Sequence, residues 1–180
     1  MPVETLRSPE DLSRLRDRVA AATLRTLDAL RALCELDPIA ALAQLKFSES
    51  GWHPLEDRPL NLVEQINQTF TYLTSFAAAE EVGRRHPDSW PIQLNLGTSA
   101  GSDVASTSAG VAAEVFSAVR SSNNDKLWKD IAKVTSTGAA HKYVFFYCPG
   151  ETCPLGFGGA AVQVVALTAE QVLGPLRRFV

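Results

Sequence analysis

A basic excess is missing from this 180-residue sequence. Seventeen Lys and Arg stand against twenty Asp and Glu, for a formal net charge of −3. Proteins that grip nucleic acid by its phosphates usually carry the opposite balance, so any such contact has to come from a local basic face. Long apolar runs are missing too. No segment approaches the roughly 18 consecutive apolar residues of a membrane span, and Met1 to Arg7 do not form a basic segment followed by an apolar core. A cytoplasmic protein without a membrane partner is expected. Cysteine is scarce, at three residues. Cys148 and Cys153 are separated by four residues where a redox pair has two. His141 is the nearest histidine, and a zinc site would need two further ligands at suitable spacing. Free thiols in a reducing compartment are the expected state. The Gly97–Gly101 stretch lacks the Gly-Lys-Ser/Thr ending of a phosphate loop. There is no internal repeat and no low-complexity tract.

What is present suits a folded domain. Apolar residues make up 46 % and charged residues 21 % of the chain, and the length allows one domain or one domain with a helical extension. Ser8-Pro9-Glu10-Asp11 has the form of a helix start. Leu12, Leu15, Val19, Leu24, Leu27, Leu30 and Leu33 then recur at helical spacing to about Cys34. The intervening Arg14, Arg16, Arg18, Arg25 and Arg31 read as a solvated face, with phosphate contact as the alternative. Ile39 to Phe47 is predicted to be a short helix, and Ser48 to Pro59 a loop holding Trp52 and a structural or solvent-facing His53. A second long helix opens at Leu60 and stops before His86-Pro87. Leu62, Ile66, Phe70, Leu73 and Ala77 form its apolar stripe. Glu64, Asn67, Gln68 and Thr71 form a polar one, lining either a groove or solvent. These boundaries divide the chain into an N-terminal helical extension, residues 1–59, and an α/β core, residues 60–180.

From Pro91 to Pro149 the pattern changes to short β-prone runs. Ile92–Leu96, a short strand around Asp103-Val104-Ala105 and Val111–Val119 are three strands separated by Gly- and Ser-rich turns. Asn123–Val134 is an amphipathic crossover helix and Tyr143–Tyr147 a fourth strand. Ala160–Leu167 reads as a last strand. Thr168 to Gln171 forms a capping box that opens a helix to about Phe179. A hairpin turning at Ser108–Gly110 sets Asp103 nearly opposite Glu114. Two carboxylates facing each other repel, and Glu114 within an apolar strand is costly to bury unpaired. A divalent cation reverses both penalties, since Mg²⁺ takes carboxylate and carbonyl oxygens. A register slip that turns one carboxylate to solvent is the alternative.

The αβββαβ order over Leu60–Tyr147, with Asp103 before Glu114-Val115-Phe116, resembles the PD-(D/E)XK nuclease superfamily, whose fold is restriction-endonuclease-like. The resemblance implies a central mixed sheet flanked by helices and hydrolysis of phosphodiesters, in DNA ahead of RNA, with Mg²⁺ or Mn²⁺. It makes Asp103, Glu114 and the Val115 carbonyl the metal ligands. Glu64 matches the acidic residue of the first core helix, and Gln68 is placed in the outer shell. Phe116 stands where the family has its lysine. In some members the next helix supplies that lysine, which makes Lys126 the leading candidate, with Lys129 and Lys133 on a similar face. Two other functions stay open: a catalytically silent binding or regulatory module, and an interaction protein whose leucine-rich helices form an oligomer. A nuclease cutting both strands is most simply a homodimer.

Overall fold

A computed structural model describes residues 3–33, 35–122, 125–152 and 161–174. In chain order the elements are β1 (Val3–Leu6), α1 (Pro9–Leu33), α2 (Pro38–Phe47), β2 (Gly51–Trp52), β3 (Pro59–Leu60), α3 (Leu62–Arg85), a single 3₁₀ turn (Pro87–Ser89), β4 (Ile92–Asn95), β5 (Val104–Ser106), β6 (Val111–Ser117), α4 (Lys126–Thr135), β7 (His141–Tyr147), β8 (Gln163–Ala166) and α5 (Ala169–Leu173). The predicted helix start at Asn123, the helix end towards Phe179, and both Cys34 and Cys153 lie outside the described residues. Cys148 is buried and free. Among the described residues no helix is long and apolar enough to cross a membrane. The chain forms two compact units, Met1–Pro9 with Thr71–Val180, and Glu10–Phe70. The division falls inside α3, eleven residues after the 59/60 boundary that composition suggests.

The first unit is α/β. Its mixed six-stranded sheet has the order β1-β4-β5-β6-β7-β8. β1, β4, β5 and β6 are antiparallel neighbours, while β6, β7 and β8 run parallel. Parallel strands need a crossover, and α4 supplies it between β6 and β7. β6 is central, so it is buried on both faces and reads as an apolar run, interrupted by Glu114, rather than an alternating one. On one face Ala112, Phe116, Val144 and Phe146 pack with Leu127 and Val134 of α4. Each large side chain buried there contributes about 1.5–3 kcal/mol. Gly110 sets up the site. Its φ of +58° is left-handed, a conformation that costs a residue with a Cβ about 1 kcal/mol. Its N–H closes the turn on the Thr107 carbonyl at 3.3 Å, and its own carbonyl receives the His141 N–H at 3.0 Å, starting the β6–β7 ladder.

Two sheet elements differ from the sequence reading. Residues 3–6, placed in the helical extension, form an edge strand paired to β4 from Val3↔Asn95 to Leu6↔Ile92. Four residues are too few to carry a periodic signal, and only the partner strand makes them β. The 48–59 loop contains one arm of a two-stranded ribbon, Gly51↔Leu60 and Trp52↔Pro59.

In the Glu10–Phe70 unit, α1 buries Leu12, Leu15, Val19, Ala22 and Thr26. The Thr26 hydroxyl donates to Gln65 Oε1 at 2.7 Å, and the Trp52 N–H donates to the same oxygen at 2.8 Å. Gly51 is required beside it, because a Cβ there would stand 2.4 Å from Gln65 Oε1 and 3.0 Å from the Leu60 carbonyl. His53 is a structural residue. It is buried, and its Nδ1 accepts the N–H groups of Leu55 at 3.1 Å and Glu56 at 2.8 Å. Burial pushes its pKa down.

Candidate functional site

The β5–β6 pairing runs from Ser106↔Val111 to Val104↔Ala113. Continued by one residue, that register sets Asp103 across from Glu114. The ladder ends there and β6 continues to Ser117, paired only with β7. Asp103 fills the opening: its Oδ2 accepts the Val115 N–H at 2.8 Å. A strand residue directs its N–H and C=O to the same edge, so the Val115 carbonyl also faces the Asp103 side. A cleft of about 440 Å³ lies here, lined among others by Thr71 and Ser75 of α3, Asn95, Asp103, Ser117 and Lys126.

Glu114 shares a strand face with Ala112 and Phe116 and is 1 % exposed. Its Oε2 accepts from Lys133 Nζ at 2.6 Å, while Oε1 is buried without a partner. Burial pushes its pKa up, the Asp103 and Asp130 charges add to that, and Lys133 opposes it; the result is about 7. For Lys133, burial disfavours the charge, but the Glu114 hydrogen bond and charge and the fields of Asp103 and Asp130 outweigh it, so its pKa is raised.

Sequence reasoning missed Asp130. It is 2 % exposed, its Oδ1 takes Lys126 Nζ at 2.6 Å, and its Oδ2 is also buried without a partner. Burial raises its pKa against the opposing pull of Lys126. The signal was available: Leu127, Asp130 and Val134 are spaced by three and four and form the buried stripe of α4. An aspartate on such a stripe needs a partner, and Lys126 stands one turn before it.

Within this unit Asp103, Glu114, Asp130, Lys126 and Lys133 therefore act on one another. Of the candidate lysines, Lys133 reaches Glu114, whereas Lys126 holds Asp130 and lines the cleft beside Asp103; Lys129 is exposed. Phe116 is 4 % exposed and stacks on Phe146 at 5.5 Å, in the core. Glu64, exposed, and Gln68, half-buried, belong to the Glu10–Phe70 unit. His141 begins β7, three residues before the partner of Glu114, with its ring 4.4 Å from that of His86.

Among the described residues no three His, Cys, Asp or Glu side chains converge on one point. The expected ligand set, two carboxylates and a carbonyl, contains only two such side chains. It fits a hard divalent cation: oxygen donors are what Mg²⁺ takes, and the orphaned Glu114 Oε1 is a buried acceptor that a cation would satisfy. No family model, curated protein or solved structure matches the chain.

Proposed function

We propose that this protein is a Mg²⁺-dependent, nuclease-like hydrolase of phosphodiester bonds in nucleic acid, DNA ahead of RNA, on a restriction-endonuclease-like core. The observation that carries the reading is the meeting of Asp103, the Val115 edge of β6 and the buried Glu114 where β5 and β6 part. The α3-β4-β5-β6-α4-β7 order, with three antiparallel strands and a fourth parallel to the third, supports the fold assignment.

Asp103, Glu114 and the Val115 carbonyl would hold the cation. When bound, it lowers the pKa of a coordinated water and offsets charge on the phosphate. Lys133 holds Glu114 in place from α4. Lys126, in the cleft beside Asp103, is the group that orients a water or steadies charge on phosphate oxygens. Asp130 restrains Lys126 until a phosphate competes for the amine.

The test is cleavage. Plasmid DNA and a structured RNA are incubated with Mg²⁺ or Mn²⁺ and with wild type, Glu114→Ala or Lys126→Ala. Cleavage by wild type that both variants lose supports the reading; cleavage that survives Glu114→Ala contradicts it. A second reading rests on Phe116, which fills the motif-lysine position with a core ring: a nuclease fold used as a binding module. Metal binding without cleavage of either substrate would favour it.

A further inference from the structure

β6 continues where β5 stops, and this leaves backbone groups open on one edge. Alternate residues of a strand turn their N–H and C=O groups to opposite edges. On β6 the odd-numbered residues face β5: Val111 and Ala113 pair with Ser106 and Val104, and the Val115 N–H reaches Asp103. The even-numbered residues on either side of this run face β7. The Gly110 carbonyl accepts the His141 N–H at 3.0 Å, and the Ala118 N–H donates to the Tyr147 carbonyl at 3.1 Å. Ser117 is odd-numbered, so its N–H points to the β5 side. The β5 pairing ends at Ala113, and no ladder bond from β5 reaches that N–H.

The surroundings suit an anion that arrives with a cation. Half-buried Ser117 lines the 440 Å³ cleft together with Thr71, Asp103 and Lys126. The donors there are the Ser117 N–H and hydroxyl, the Thr71 hydroxyl and the Lys126 amine. Asp103 is the carboxylate among the lining residues, and alone it repels a phosphate. A divalent cation on Asp103, Glu114 and the Val115 carbonyl turns that repulsion into attraction. The Val115 carbonyl and the Ser117 N–H open on the same edge, two strand residues or about 7 Å apart along the chain. Backbone N–H groups are common donors to nucleic-acid phosphates, and a hydrogen bond to a charged acceptor is stronger than one between neutral groups.

We infer that Ser117 is a phosphate seat: its N–H, with the Lys126 amine, donates to oxygens of a substrate phosphate beside the Val115 carbonyl. The contact is to the nucleic-acid backbone, so it fixes position without reading sequence. It rests on the phosphodiester reading for the identity of its ligand. The probe is inorganic phosphate, which has no ester to cleave, so binding is read apart from hydrolysis. It is titrated into the nitrogen-15-labelled full chain with and without Mg²⁺, and the amide resonances are followed. The Ser117 amide is expected to shift saturably, and Mg²⁺ to lower the dissociation constant at least about tenfold. The Ala113 amide, held in the β5–β6 ladder, moves less. Ser117→Pro removes the donor, and proline is tolerated in a strand where its nitrogen faces away from a partner. Far-UV circular dichroism should therefore stay unchanged while phosphate affinity falls at least about tenfold, the loss of one hydrogen bond to a charged group. Ser117→Ala keeps the N–H and loses less. If the proline disrupts β6, the wild-type titration decides. A Ser117 amide indifferent to phosphate, or a folded Ser117→Pro that binds it as wild type does, would overturn the inference even where plasmid is cleaved. Plasmid left intact while the Ser117 amide saturates with phosphate would support the seat and count against the hydrolase reading.

Discussion

Glu114→Gln keeps the shape of the buried side chain and removes its titration. Burial raises the Glu114 pKa from 4.5 to about 7. The folded protein therefore holds the proton more tightly than the unfolded chain does. The resulting stability is fully present below pH 4.5 and is lost as pH rises through about 7. The gap corresponds to about 3 kcal/mol, most of it lost between about pH 5 and 7.5. The glutamine variant does not titrate at this position, so the ionisable groups that do not interact with Glu114 cancel in the difference between the two proteins. Urea unfolding of both, repeated from pH 4.5 to 8.5, should show wild type falling behind the variant by about 3 kcal/mol across that window. Mg²⁺ at about 100 times its dissociation constant should return about 2.7 kcal/mol to wild type at the alkaline end and nothing to the variant. A pH-independent difference would refute the reasoning, because it would mean that Lys133 keeps Glu114 ionised throughout and that burial is not the dominant influence.

Lys133→Met should cost about 2 kcal/mol at pH 8, where it strands a buried carboxylate, and much less at pH 5, where Glu114 carries its own proton; equal losses in urea melts at both pH values would contradict the pairing. Gly110→Ala should cost about 1 kcal/mol from its left-handed backbone and weaken Mg²⁺ affinity by loosening the β5–β6 register, read by calorimetry. Gly51→Ala should cost about 2 kcal/mol or more, since its Cβ meets Gln65 Oε1 at 2.4 Å. His53→Ala should lose about 1–3 kcal/mol by leaving two backbone N–H groups without their acceptor, and should leave metal affinity and any cleavage untouched.

The meeting of Asp103 and Glu114 was legible in the sequence because one turn determines it. Gly110 supplies the left-handed residue, the hairpin around it sets the register, and strand alternation then decides which face Glu114 takes. The lysine was not legible in the same way. Lys126 and Lys133 are seven residues apart, two helical turns, and so share a face of α4. Only the position of that helix along β6 decides which of them reaches Glu114, and a pattern within the helix does not encode it. Asp130 is legible in the helical phase, since its place on the stripe with Leu127 and Val134 forces it inward. β1 was beyond reach, because Val3–Leu6 is a strand only by virtue of β4. The polar stripe on α3 spans the division between the two compact units: Thr71 lines the cleft, and Glu64 and Gln68 fall in the Glu10–Phe70 unit.

The central claim is that Asp103, Glu114 and the Val115 carbonyl form a divalent-cation site, and calorimetric titration of Mg²⁺ and then Mn²⁺ into wild type and Glu114→Ala at pH 8 tests it most directly. One saturable site in wild type, absent from Glu114→Ala while that variant remains folded, is the predicted result. Equal heats in the two proteins, or no saturable binding in wild type, would contradict it and leave the carboxylates as parts of a buried ion-pair network with Lys126 and Lys133.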